Sequence, residues 1–67
     1  MLIKIKKDRY INTEKVDSLV VLERAKGYDV FINMSCNGVY LASTGHKTFE
    51  EAVQAMGKLA EQINNAN

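Results

Sequence analysis

The chain contains one cysteine, Cys36, and one histidine, His46, the side chains best suited to nucleophilic or acid–base chemistry. A reactive cysteine needs a pKa lowered by a helix N-terminus or a nearby cation, and the sequence identifies neither beside Cys36. A general base needs a proton-transfer partner and a pocket, and no pattern around His46 supplies them. We therefore interpret Cys36 as a small inward-facing apolar residue, His46 as an exposed loop residue, and the chain as non-catalytic.

The sequence also contains few residues that could serve as metal ligands. One histidine and one cysteine are too few for a four-ligand zinc site, and a single cysteine cannot form an intramolecular disulfide. Glu50 and Glu51 are neighbours on a predicted helix, where they would point apart rather than act as a carboxylate pair. We expect no metal and no cofactor.

A four-residue segment ahead of the predicted helix is a candidate anion contact. Its residues are Gly45, His46, Lys47 and Thr48. Free backbone amides at a helix N-terminus favour anions, which would suit a small anionic ligand. The segment lacks the first glycine and the spacing of a P-loop, so ordinary helix-cap chemistry is the alternative.

The basic residues near the N-terminus form the second candidate contact, in this case for nucleic acid. They are Lys4, Lys6, Lys7 and Arg9. Lysines on an edge strand also prevent unwanted strand pairing, which is the competing interpretation. Only Tyr10 lies nearby for base stacking. The whole chain has nine Lys and Arg against eight Asp and Glu, which argues against a protein built mainly to coat nucleic acid or an anionic membrane.

Most of these candidate residues fall on or beside segments with the sequence pattern of β-strands. Alternation of apolar and basic residues predicts a half-buried strand over 2–6, and Tyr10 and Ile11 predict a short extended piece. Asn12 and Thr13 suit the turn that follows. The β-branched and aliphatic residues of 16–24 predict the next strand.

Two glycine-containing turns predict two consecutive hairpins. Lys26-Gly27 suits a two-residue turn because glycine readily adopts positive φ, and Asn37-Gly38 is a stronger signal of the same kind. These turns pair Leu22 with Phe31, Val21 with Ile32, Met34 with Leu41 and Ser35 with Tyr40. Both registers give one apolar core face, made of Leu19, Val21, Val30, Ile32, Met34, Cys36, Val39 and Leu41.

The C-terminal segment has the pattern of an amphipathic helix. Thr48 and Glu51 form a capping box at its start. An apolar stripe follows at helical spacing: Phe49, Ala52, Val53, Met56, Leu59, Ala60 and Ile63. Gly57 lies beside the stripe and is a candidate for a close backbone approach. The fold class we predict is α+β, with an antiparallel sheet of three to four strands (β-β-β-β-α) covered on one face by this helix.

One helix can cover only one face of such a sheet. The opposite face would present Val20, Leu22, Phe31, Tyr40 and Ala42. A contiguous apolar patch usually marks a contact site, although single exposed apolar residues are normal. A 67-residue chain buries only about 60% of its unfolded surface, so its core is marginal and self-association would stabilise it. We therefore predict that this face is an interface, with a homodimer or higher homo-oligomer as the expected assembly.

Two stretches resemble known families. Tyr10-Ile11-Asn12 with Val16 and Leu19, then Asn33-Met34 and Thr48-x-Glu50-Glu51, resembles the layout of small FlbD/SwrD-type flagellar proteins. Residues 45–60 are similar to the strand-to-helix junction of HicB-type antitoxins and of three-stranded DNA-binding modules. The resemblances imply the same α+β fold and different functions, and we carry over no site residues from them.

Together these features predict one domain over residues 1–67, with residues 64–67 as a frayed tail. No stretch has the pattern of a signal peptide or a membrane span, so we expect a cytoplasmic protein. The predicted function is a self-associating binding module, either an adaptor or a phage-type inhibitor that blocks a host protein or sequesters a small ligand. The alternative is a small nucleic-acid-binding regulator that uses the basic cluster.

Overall fold

The computed structural model describes residues 1–35 and 38–66. Its elements are β1 (Leu2–Lys6), β2 (Arg9–Asn12), a 3₁₀ turn (Thr13–Lys15), β3 (Val16–Arg24), β4 (Gly27–Met34), β5 (Gly38–His46) and α1 (Phe49–Ala66). The predicted α+β class and the C-terminal helix packed on a sheet are confirmed. The strands form two antiparallel sheets, β1-β2 and β3-β4-β5, instead of a single sheet.

The β1-β2 hairpin is fastened to the turn that follows it. The Asn12 side chain accepts a hydrogen bond from the Glu14 amide at 3.1 Å, which caps the 3₁₀ turn. The Thr13 amide donates to the Met1 carbonyl at 2.8 Å, which ties the chain start to this turn. The turn chemistry expected of Asn12 and Thr13 is therefore confirmed.

The register of the hairpin between β3 and β4 is shifted by two residues from the predicted register. Arg24 pairs with Gly27, and Phe31 lies opposite Val20 instead of opposite Leu22. Gly27 does have the expected positive φ, at 138°. A shift of two residues leaves every side chain on its original face because strands alternate with period two. The side chains of β3 and β4 therefore lie on their predicted faces even though the predicted register was wrong.

The register of the hairpin between β4 and β5 differs by three residues from the predicted one. This difference changes which side chains of β5 lie on each face of the sheet. Met34 pairs with Gly38, which has φ 84°, so three residues separate these paired positions, whereas the predicted two-residue turn placed Gly38 within the turn and Met34 opposite Leu41. Phe31 now lies opposite Leu41, and Ile32 lies opposite Tyr40. An odd shift moves every side chain of the strand to the other face. Cys36 and Asn37, expected at this turn, lie outside the described residues.

The core lies between the three-stranded sheet on one side and α1 with the β1-β2 hairpin on the other. Ile11, Ile32 and Met34 form its buried cluster. The partly buried residues that pack against this cluster come from both layers: Ile3, Ile5, Val16, Leu19, Tyr40, Ala42 and Leu59. Full burial of a side chain the size of Ile32 contributes about 1.5–3 kcal/mol, so the cluster supplies much of the stability of so short a chain.

The predicted capping box at the start of α1 is present. The Glu51 amide donates to Thr48 Oγ1 at 3.1 Å, and Glu51 Oε2 accepts from the Lys47 amide at 3.1 Å. The helix continues to Ala66, so residues 64–66 belong to it, and the fraying of this tail stays a prediction. Gly57 is exposed with open space around it, and its expected close backbone approach was wrong. No helix in the described part of the chain has the length and apolar composition needed to cross a bilayer.

Two glycine-to-alanine substitutions should have opposite effects. A Cβ at Gly27 would collide with the backbone carbonyl oxygen of His46 and would hold an unfavourable positive φ. We expect Gly27→Ala to lower the free energy of unfolding by roughly 1–3 kcal/mol. Gly57→Ala should raise it by about 1 kcal/mol, because alanine is the better helix former and the site is open. Urea denaturation at one fixed protein concentration measures both, and a Gly27→Ala midpoint equal to wild type would contradict the close approach of the two strands.

The capping box gives a second test of the fold. Removing the hydroxyl in Thr48→Ala leaves the Glu51 amide without its acceptor, and we expect a loss of about 0.5–2 kcal/mol in the free energy of unfolding. Thr48→Ser keeps the hydroxyl and should unfold close to wild type. Equal denaturant midpoints for the alanine and serine variants would show that α1 does not depend on this cap.

Candidate functional site

The side of the β3-β4-β5 sheet that faces away from α1 carries a connected apolar surface. Val20, Phe31 and Leu41 lie directly opposite one another across the three strands and form a row. Leu22 and Val39 flank this row on the two edge strands and are 45% and 58% exposed. We refer to these five residues as the open sheet face. Three of them, Val20, Leu22 and Phe31, were predicted from the sequence.

The other two residues predicted for this face were placed wrongly. Tyr40 and Ala42 pack against the buried core cluster, on the helix side of the sheet. The cause is the odd register shift between β4 and β5, which exchanges the faces of the last strand. The same exchange brings Leu41 and Val39, predicted as core residues, onto the open sheet face. A glycine at position 38 suits a three-residue connection that precedes it as well as the two-residue turn that was predicted, so the sequence signal did not separate the two registers.

Polar groups beside the open sheet face already have partners within the chain. Asn33 Nδ2 donates to Ser18 Oγ at 2.8 Å. Asp29 Oδ1 accepts from the Thr44 hydroxyl at 2.8 Å and from the Gly45 amide at 3.1 Å. Burying a polar group is costly mainly when it loses its hydrogen bonds. A partner that covered this face would therefore leave these particular hydrogen bonds intact.

Asp29 is an almost fully buried carboxylate at the edge of this surface, 8% exposed. The hydrogen bond from Thr44 is the main reason that the pKa of Asp29 lies below its usual value of 3.8. The Gly45 amide and the charges of Arg24 and His46 lower the pKa further, while burial acts in the opposite direction. The Arg24 guanidinium also lies over the Phe31 ring, 5.5 Å from its centroid, which places a cation on the central residue of the apolar row.

His46 is half-buried at the end of β5, so the expectation of an exposed loop residue was wrong. Its Nε2 lies 2.8 Å from Ser43 Oγ. A serine–histidine contact is the first requirement of an activated nucleophile, which also needs a group to orient the imidazole and donors for the oxyanion. Among the described residues, Ser43 is the only hydrogen-bond partner of the His46 ring. The contact joins the bulged part of β5 to the strand end.

Two amides of the segment predicted as an anion contact are occupied by carboxylate oxygens of the protein itself. Gly45 donates to Asp29, Lys47 donates to the Glu51 carboxylate, and the Glu51 amide donates to Thr48. Two carboxylates thus lie where an anionic ligand would have to bind. For metal ions, the residues that the structure describes contain no group of three or more His, Cys, Asp or Glu side chains placed to hold one.

The basic residues lie on the β1-β2 hairpin, across the core from the open sheet face. Lys4, Lys6 and Lys7 are exposed. Arg9 behaves differently, because its guanidinium stacks over the Tyr40 ring at 4.6 Å from the ring centroid. The predicted interface and the predicted nucleic-acid contact are therefore two separate surfaces of the molecule.

Comparisons with protein-family models, with curated proteins and with solved structures find no match for this chain. The resemblances to FlbD/SwrD-type proteins and to HicB-type antitoxins stay predictions. Function therefore has to be argued from the surfaces described above.

The lowered pKa of Asp29 predicts a specific dependence of stability on pH. A carboxyl whose folded pKa lies below its unfolded value stabilises the fold above the unfolded value, and this contribution disappears as pH falls through the folded pKa. Asp29→Asn keeps an oxygen for Thr44 and Gly45 and removes the charge. We expect the difference in unfolding free energy between wild type and Asp29→Asn to be constant above about pH 5 and to diminish toward about pH 2.

Asp17→Asn is the matched control, because it removes an exposed carboxylate from strand β3 of the same sheet. Denaturant unfolding is measured for the three proteins across this pH range. A difference between wild type and Asp29→Asn that does not change with pH would contradict a charge-specific role for Asp29.

Proposed function

We propose that the protein is a non-catalytic contact module that works as a homodimer joined through the open sheet face. The observation that supports this most directly is the half-buried row of Val20, Phe31 and Leu41, which faces away from α1 and the β1-β2 hairpin. The opposite face of the same strands is packed against α1 and the β1-β2 hairpin. Contiguous apolar surface of this kind is typical of interaction sites.

A second copy of the chain is the occupant that fits this face best. In a two-fold dimer the same patch contacts itself, so the patch has to be self-complementary. An apolar row across a three-stranded sheet meets this requirement, because two such sheets can pack face to face at about 10 Å with their side chains interdigitated. The paired state of Asn33 and Asp29 means that little hydrogen bonding is lost on burial.

The size of the chain gives a second reason for self-association. Its described core contains six buried apolar residues, of which only Val30 and Ile32 are large and fully enclosed. Each large apolar side chain transferred from water into an interface contributes about 1.5–3 kcal/mol. Val20, Phe31 and Leu41 are already half-buried, so covering the open sheet face would add part of this value for each of its five residues to the stability of a short chain.

Such a dimer would act on other molecules by contact, as an adaptor or as an inhibitor that occupies a host protein or sequesters a small ligand. The sheet-to-sheet arrangement leaves α1 and the β1-β2 hairpin on the outside of both protomers. These are the surfaces on which a third molecule would bind. A cytoplasmic location stays a prediction.

The test is the association state of two charge-insertion variants. Leu22→Glu and Phe31→Glu each place a carboxylate in the proposed contact, where an unpaired charge is strongly unfavourable. We expect wild type to sediment at twice the 7.5 kDa chain mass at micromolar concentration. The variants should sediment as monomers or dissociate at concentrations at least about tenfold higher than wild type.

Val53→Glu is the matched control, because Val53 is an exposed apolar residue of α1 that lies away from this face. It should remain dimeric. Leu22 is itself nearly half exposed, so Leu22→Glu should keep the far-UV circular dichroism spectrum of the fold. Wild type that sediments as a stable monomer, or a Val53→Glu variant that dissociates as readily as Leu22→Glu, would overturn the proposal.

A further inference from the structure

The charges of the chain are divided unequally between its two sheets. Four of the nine Lys and Arg residues and one of the eight Asp and Glu residues lie within residues 2–12. The β1-β2 hairpin therefore has a formal charge of +3, and the remainder of the chain has −2. A nearly neutral protein thus has one strongly basic element, which favours an anionic partner for that element.

An exposed aromatic ring lies among these charges. Lys4 and Tyr10 are directly opposite in the β1-β2 register, so their side chains share one face of the hairpin. Ile3 and Ile11, which alternate with them, pack toward the core, so this shared face is the outer one. Tyr10 is 61% exposed. Lys6 and Lys7 follow Lys4 toward the turn of the hairpin and are exposed, and the register shifts between Lys4 and Lys6, which pairs with Arg9. We call the exposed surface formed by Lys4, Lys6, Lys7 and Tyr10 the basic ribbon.

We propose that the basic ribbon binds single-stranded nucleic acid, with Tyr10 stacked on a base and the three lysines beside neighbouring phosphates. Stacking platforms beside cationic side chains are the general means by which proteins bind single strands without reading sequence. The ring can stack only on a base that is unpaired, which favours a single strand over a duplex. This proposal does not depend on the homodimer, because the basic ribbon and the open sheet face lie on opposite sides of the core.

Arg9 has a different role in this arrangement. Its guanidinium is engaged on the Tyr40 ring, which belongs to the three-stranded sheet. That contact joins the two sheets, so we assign Arg9, which is itself exposed, a part in positioning the hairpin. Of the four basic residues that the sequence singled out, three belong to the binding surface, and Tyr10 completes it.

Fluorescence anisotropy with labelled oligo(U) and oligo(dT) of about 12 nucleotides tests the proposal. At about 50 mM salt, Tyr10→Leu should weaken binding at least about fivefold, since one stacked base contributes that much or more. Tyr10→Phe, which retains the ring, should bind like wild type. The double variant Lys4→Gln/Lys6→Gln should weaken binding and reduce the slope of log affinity against log salt by about 1.4, or about 0.7 for each lost phosphate contact.

The matched control is Lys26→Gln/Lys58→Gln, which removes the same charge from exposed positions in the β3-β4 turn and in α1. It should bind oligonucleotides nearly as tightly as wild type. Equal weakening by both double variants would mean that binding follows net charge alone, and it would overturn the proposal. So would a wild-type preference for duplex over single strand, tighter binding to vesicles with anionic lipids than to oligonucleotide, or no binding at low salt. The oligo(U) and oligo(dT) measurements then distinguish RNA from DNA as the ligand.

Discussion

The pairing of Met34 with Gly38 determines which side chains of the last strand are inside and which are outside. From that pair onward, Tyr40 lies opposite Ile32 in the core, and Leu41 lies opposite Phe31 on the other face. A pairing one residue longer or shorter would exchange the two sets. Phenylalanine and leucine then become neighbours on a surface that no other element of the described structure covers. The candidate interface is thus a consequence of the same register that completes the core.

That register also has consequences for the first sheet. With Tyr40 on the helix side, its ring is available to the Arg9 guanidinium, and the β1-β2 hairpin packs its isoleucines onto the same core. The two strands of this hairpin would be only marginally stable alone. Packed in this way, they present alternate residues outward, including Lys4 and Tyr10. An aromatic residue placed in the core therefore helps to orient a basic surface on the outside of the molecule.

Local chemistry made the helix and the strand positions predictable. The hydrogen bonds of the capping box join residues no more than four apart, and the alternation of residues 2–6 is complete within five positions. The registers of the two hairpins depend on the length of the connecting loop. A glycine after the first strand is compatible with both a two-residue and a three-residue connection, so the sequence does not separate them. A register error of two residues in the hairpin at Gly27 left every side chain on its predicted face. A register error of three residues in the hairpin at Gly38 placed Tyr40 and Ala42 on the wrong face. The parity of the error mattered more than its size.

The hydrogen bonds of the two outer surfaces suggest different uses for them. On the open sheet face, Asn33 and Asp29 have partners from neighbouring strands, so these hydrogen bonds persist when the apolar row is buried. On the basic ribbon, the lysines remain exposed to solvent, where a phosphate can replace their water. A two-fold dimer through the first surface would hold two copies of the second on its outside. When a long single strand binds one basic ribbon, its local concentration at the second ribbon rises. Such a strand would therefore bind the dimer more tightly than it binds one basic ribbon alone.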